Sequence, residues 1–174
     1  DYGQILDGTF ADVDGNGVPD CCDQGIECAA QWKIEDGGNG HWYQRLDSDD
    51  NWLDCRSQAL ARGADLVSVL SSAEHEFVGR LIEGESYEDL PRNFWLGGRS
   101  LSDENWIWSD GSEWNYENWC NGSPNTGSPG HTFLVYYFEL GNCWDDYLAS
   151  DAGQNTRGAV IEWSADCNGD GIVD

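Results

Sequence analysis

The sequence predicts an α+β domain, and three observations predict it. Two stretches with helical spacing come first, short β-like runs follow, and a long Gly-, Asn-, Ser- and Pro-rich segment separates two of those runs. Helices grouped ahead of antiparallel strands, rather than alternating with them, are the mark of this class. With 174 residues the chain is long enough for one domain with a substantial core plus appendages.

The first helix is expected from Asp49 or Asp50 as cap through about Arg62, with Trp52, Cys55 and Ala59 on one face and Gly63 as its stop. Asp65-Leu66-Val67-Ser68-Val69-Leu70 reads as a strand. Ser71-Ser72-Ala73-Glu74 reads as a capping box that opens a second helix, with Phe77, Val78, Leu81 and Ile82 at helical spacing. Phe94–Gly98, Trp106–Trp108, Thr132–Leu140 and Ala159–Trp163 read as strands. Between them Ser109–His131 has no regular pattern, and a loop of that length is usually functional or needs pinning.

Composition narrows the function. Eight Lys+Arg against 33 Asp+Glu give a net charge of −25. Such a chain repels nucleic acid and anionic membranes. Ten Trp, seven Tyr and five Phe provide a core and argue against disorder. Dense carboxylates then point to divalent cations, to a solvated surface, or to both. The seven cysteines include no CxxC pair and the three histidines are scattered, so disulfides in an oxidising compartment are expected rather than zinc. No apolar run reaches membrane-spanning length. The chain has no Met and no signal peptide, which predicts a processed form or a segment of a longer polypeptide. No catalytic motif is present, and no enzyme activity is expected.

All ten tryptophans lie between Trp32 and Trp163, dividing the chain into a core domain (32–163) and two arms (1–31 and 164–174). In the N-terminal arm, Asp12, Asp14, Asn16, Asp20 and Asp23 fall at positions 1, 3, 5, 9 and 12 of a twelve-residue loop. Gly17 stands at position 6 and Val18 offers its carbonyl at position 7. That spacing wraps calcium, which takes six to eight hard oxygen donors. It resembles the loops of thrombospondin type 3 repeats and dockerins. The C-terminal arm repeats the pattern with Asp166, Asn168, Asp170, Ile172 and Asp174, and the sequence ends three positions short. This predicts a head-to-tail junction in which a neighbouring copy completes the loop, or an arbitrary boundary.

The middle of the chain resembles a C-type-lectin-like domain over about Trp42–Trp163. The residues that carry the resemblance are Trp52-Leu53-Asp54-Cys55 through Val69, Ser72–Phe77, Phe94-Trp95-Leu96-Gly97-Gly98, Trp106–Ser112, Asn118-Trp119, Gly122-Ser123-Pro124-Asn125 and Cys143-Trp144-Asp145-Asp146. The resemblance implies a calcium- and sugar-binding site at Asn125, Asp145 and Asp146. Ser123 stands where the family has the first carboxylate, and His131 lies near its second, so the site is weakened. The family's usual bridge from the first helix to the last strand is not expected, because Ala159–Trp163 has no cysteine; Cys55 is a buried thiol or pairs with an arm cysteine such as Cys28. Cys120 and Cys143 flank the long loop, and a bridge between them, closing about 22 residues, is worth about 3 kcal/mol in the chain-entropy model.

Two functions are therefore expected. One is an extracellular, calcium-stabilised structural or adhesive module, a repeat unit joined head-to-tail in a longer fibre or surface protein. The other is a calcium-dependent carbohydrate-binding lectin that uses the long loop to hold glycans.

Overall fold

A computed structural model describes residues 29–82, 93–102, 105–125, 132–137, 141–152 and 156–163. Both arms, with Asp12, Asp14, Asn16, Val18, Asp20, Asp23, Asp166, Asn168, Asp170, Ile172 and Asp174, lie outside the described residues, as does His131.

The described elements in chain order are β1 (Ala30–Gln31), a 3-10 turn (Ile34–Asp36), β2 (Trp42–Asp47), α1 (Trp52–Ala61), β3 (Asp65–Leu66) and α2 (Ser72–Ile82). They continue with β4 (Phe94–Ser102), β5 (Asn105–Trp108), β6 (Thr132–Tyr137), β7 (Cys143–Leu148), a second 3-10 turn (Ala149–Asp151) and β8 (Gly158–Trp163). The strands form one sheet in the order β1-β2-β8-β4-β6-β7, with β3 paired to β8 and β5 to β4. Pairing is antiparallel except at Trp95–Ala159, where β4 runs parallel to β8. The fold is α+β, as the sequence predicts.

The central strands are nearly continuous apolar runs because both faces of the sheet are covered, and successive side chains point to opposite faces. Phe94 and Leu96 of β4, Leu134 and Tyr136 of β6, and Val160 of β8 enter one core with Val78 and Ile82 of α2 and with Trp106, Trp108 and Trp144. Trp95, Phe133, Val135, Ala159 and Ile161 enter the other, against Trp52, Cys55 and Ala59 of α1. Gly97 is required where β4 passes β3: a Cβ there would lie 2.6 Å from the Leu66 carbonyl.

The helix ends refine the expectations. Asn51, not Asp49 or Asp50, caps α1, its side chain accepting from Asp54 N–H at 3.1 Å. Three polar residues in a row could each cap; Asp50 instead accepts from Ser48 Oγ and Gln58 Nε2. Gly63 ends the helix at φ +75°, with Ala64 N–H bonded to Ala59 O and Gly63 N–H to Leu60 O. That 6→1 and 5→2 pair is a Schellman stop.

At α2 the box is half formed. Glu74 N–H donates to Ser71 Oγ at 3.2 Å, but the Glu74 carboxylate accepts from Leu70 N–H (2.7 Å) and Tyr43 Oη (2.6 Å). It thereby ties α2 to β2. Strand character after helix α1 stops at Leu66, because Val67 N–H and Gly97 N–H leave the ladder to bond Val160 O and Val67 O. Cys55 is a free, fully buried thiol whose Sγ contacts Asp50 O at 3.6 Å. Burial pushes its pKa up to about 12, so it stays protonated and inert to thiol reagents at neutral pH.

Candidate functional site

The long loop leaves β5 at Ser109, whose carbonyl is gripped by Arg56 Nη2 at 2.8 Å. Arg56 also forms a two-pronged pair with Asp65, both bonds at 2.9 Å, and Ser109 Oγ adds a third bond to that carboxylate. Burial alone would raise the Asp65 carboxyl, but the bonds from Arg56, Leu66 N–H and Ser109 outweigh it and hold its pKa below the ordinary value. From Ser112 to Asn118 burial alternates, with half-buried Trp114, Tyr116 and Asn118 between exposed Glu113, Asn115 and Glu117.

Trp144 is the post on which this loop is hung. It is fully buried. Its ring meets Trp108, Trp114, Tyr116 and Trp119 at centroid distances of 5.7, 5.9, 5.4 and 6.1 Å. Its backbone N–H donates to Asn118 O at 2.7 Å and its carbonyl accepts from Cys120 N–H at 2.8 Å. A disulfide joins Cys120 to Cys143 beside it.

His75 of α2 completes the root of the loop. Trp144 Nε1–H donates to His75 Nδ1 at 3.1 Å, so Nε2 carries the proton and donates to Asn142 O at 2.7 Å. Asn118 Nδ2 donates to the same carbonyl at 2.9 Å. Sequence reasoning missed His75, Asn118 and Asn142, because no local pattern announces a contact between residues so far apart in the chain.

Beyond the disulfide the loop returns to β7. Asn125, Asp145 and Asp146 come together here, with Ser123 among them. Ser123 Oγ donates to Asp145 Oδ1 at 2.5 Å, and Asp146 N–H donates to the same oxygen at 3.0 Å. Asn125 N–H donates to Asp146 Oδ1 at 2.7 Å, and Asn125 Nδ2 reaches Ser123 Oγ at 3.4 Å. The Ser123–Pro124 peptide is cis. Asp146 is buried, Ser123 and Asp145 are half-buried, and Pro124 and Asn125 are exposed. The result is a small polar surface of amide, hydroxyl and carboxylate, next in the chain to the buried Trp144.

The cluster does not fit a full calcium shell. It supplies two carboxylates, and Oδ1 of each already accepts protons from neighbouring O–H and N–H groups. Ser123 brings a hydroxyl proton where a third carboxylate would serve. Among the described residues no group of three or more His, Cys, Asp or Glu is arranged to hold a metal.

A second concavity of about 300 Å³ lies towards the other side of the sheet, lined by His41, Asp65, Asp110 and Glu162 with the Gly63–Leu66 turn. His41 Nδ1 and Glu162 Oε1 are 2.5 Å apart, and the bond to Glu162, helped by the charges of Glu162, Glu74 and Asp110, raises the histidine's pKa despite burial. His75 shifts the other way, because burial disfavours its charged form.

These shifts predict a stability maximum. His41, raised in the fold, contributes stability that is full below about pH 6.5 and is lost as pH rises through its folded value. His75, lowered in the fold, becomes a penalty as pH falls below about 6.5 towards its folded value. Thermal melts from pH 5 to 9 should peak between the two effects. His75→Gln should flatten the acid side and His41→Gln the alkaline side; unchanged profiles in both variants would contradict these assignments.

The family model for the Lectin C-type domain matches residues 48–146, more than half of the chain. The chain belongs to the C-type lectin domain family. Its C-type lectin domain is 33% identical over 98 residues to ladderlectin of Oncorhynchus mykiss, covering 55% of this chain and 50% of the relative. It is 31% identical over 99 residues to the galactose-specific lectin nattectin of Thalassophryne nattereri, covering 56% of this chain and 60% of the relative. Human lithostathine superposes with a TM-score of 0.61 at 27% identity, over 71% of this chain and 83% of that structure. The chain spans 50% to 60% of the length of these two curated relatives. No helix among the described residues is long and apolar enough to cross a membrane.

Proposed function

We propose that this domain is an extracellular, non-catalytic carbohydrate-binding module that holds a glycan on the surface formed by Ser123–Asn125 and Asp145–Asp146. The observation that carries the reading is the convergence of Asn125, Asp145 and Asp146 on one rigid, partly exposed face. Sugar hydroxyls both donate and accept hydrogen bonds. Asn125 offers an exposed amide with both capacities, and the carboxylate of Asp145 accepts. The family and the galactose-specific relative supply independent support. Placement outside the cell is supported by the Cys120–Cys143 disulfide, a bond that persists in oxidising compartments. A glycan array tests the function. Wild type should bind a defined set of sugars, and Asn125→Ala and Asp145→Ala should each lose most of that signal. Binding that survives both substitutions would move the site elsewhere.

The calcium loops of the arms form a separate proposal, supported by their ligand spacing. Asp12–Asp23 would bind one calcium ion, and Asp166, Asn168, Asp170, Ile172 and Asp174 would contribute ligands to a second. Calcium at about a hundred times its dissociation constant should stabilise the chain by about 2.7 kcal/mol per site. The melting temperature should therefore rise with calcium and fall with chelator, and Asp12→Ala with Asp14→Ala should shrink the change.

A further inference from the structure

We infer that the glycan loop is latched by its own hydrogen bonds and takes its ligand without a calcium ion at Asn125, Asp145 and Asp146. This rests on the reading of that surface as the glycan site and says how it is held.

The family's resemblance implies an ion here, and the donor set disagrees. Ser123 sits where a carboxylate would contribute negative charge, yet it presents a proton to Asp145 Oδ1 at 2.5 Å. Asn125 N–H does the same for Asp146 Oδ1 at 2.7 Å, and Asp146 N–H gives Asp145 Oδ1 a second bond at 3.0 Å. Each donor occupies a lone pair of an Oδ1 atom, so an entering ion would have to compete with these donors there. Asp146, only 3% exposed, has little room to re-aim. With two carboxylates the cluster also carries less charge to repay an ion's lost hydration than a six- to eight-donor site requires.

The bonds do what a bridging ion would do. Ser123 and Asn125 of the loop are fastened to Asp145 and Asp146 of β7, and the disulfide Cys120–Cys143 closes the same two segments from below. Two such bonds to ionised acceptors are strong enough to order a short loop. The ligand then meets a preformed surface and is recognised directly by the Asn125 amide and the Asp145 carboxylate.

The test uses the full chain and reads the site itself, because the arms are expected to bind calcium elsewhere. Amide exchange of Asn125 N–H is followed by NMR in chelator and in calcium chloride. Protection should be the same in both. Ser123→Ala should speed that exchange by about tenfold, the scale of one hydrogen bond to a charged acceptor, while core amides stay protected. Ser123→Glu, which restores a carboxylate, should make Asn125 protection rise with calcium. Wild-type protection that appears only with calcium would overturn the inference, as would array binding that disappears in chelator together with Asn125 protection. If no glycan binds in either condition, the glycan reading fails, and the exchange data still decide whether the loop is latched.

Discussion

Trp144→Ala is expected to cost about 3–5 kcal/mol of stability, the range for truncating a large buried aromatic. The side chain is fully buried and stands at the centre of five ring contacts, four with the loop and β5 and one with His75. Its removal also leaves His75 Nδ1 without its donor. The loss should therefore exceed the packing effect alone and should be concentrated at the loop. Urea unfolding gives the global term. Amide exchange at Cys120 and at position 144 gives the local one, since Cys120 N–H donates to the Trp144 carbonyl and the position-144 N–H donates to Asn118 O. Trp144→Phe keeps much of the ring contact and loses the indole donor, so it should fall between. A truncation that costs under about 1 kcal/mol, the level of a typical substitution, would mean that the aromatic floor is not what holds the loop.

Breaking the Cys120–Cys143 bond is the second large effect. The two residues are 23 apart in sequence, and the chain-entropy model puts their cross-link at about 3 kcal/mol. Cys120→Ser with Cys143→Ser should lower the stability measured by urea unfolding by that amount and weaken glycan binding, because Ser123 and Asn125 lie just beyond the bridge. Cys55→Ser supplies the comparison. That thiol makes no bridge, so the variant should keep glycan binding and show only the smaller cost of a polar hydroxyl in an apolar core. If the double substitution leaves both stability and binding intact, the loop is pinned by something other than the disulfide.

The parts of this fold that were legible in the sequence are those whose local pattern matches their burial. Strand β4 was readable because Phe94, Trp95 and Leu96 are buried alternately on two covered faces, leaving a continuous apolar run. Helix α2 was readable because Val78 and Ile82 recur at helical spacing behind a serine cap. Strand β2 was not. Only Tyr43 and Leu46 of Trp42–Asp47 are buried, and its ladder partner is β8, over a hundred residues away. Strand β7 was hidden for a similar reason: of Cys143–Leu148 only Trp144 and Asp146 are buried, so it reads as polar loop. The site divides in the same way. Asn125, Asp145 and Asp146 were visible as short motifs. That Ser123 bonds to Asp145, rather than merely failing to be a carboxylate, depends on two distant segments meeting.

The central claim is that the Ser123–Asn125 and Asp145–Asp146 surface of this C-type lectin domain holds a glycan. An NMR titration of the full chain with the strongest sugar from the array tests it most directly. The account predicts saturable shifts of the Ser123, Asn125, Asp145 and Asp146 amides, with Trp144 moving little and His41, Asp65 and Glu162 not at all. Shifts confined to the cleft around His41 and Glu162, with the loop amides unmoved, would contradict it.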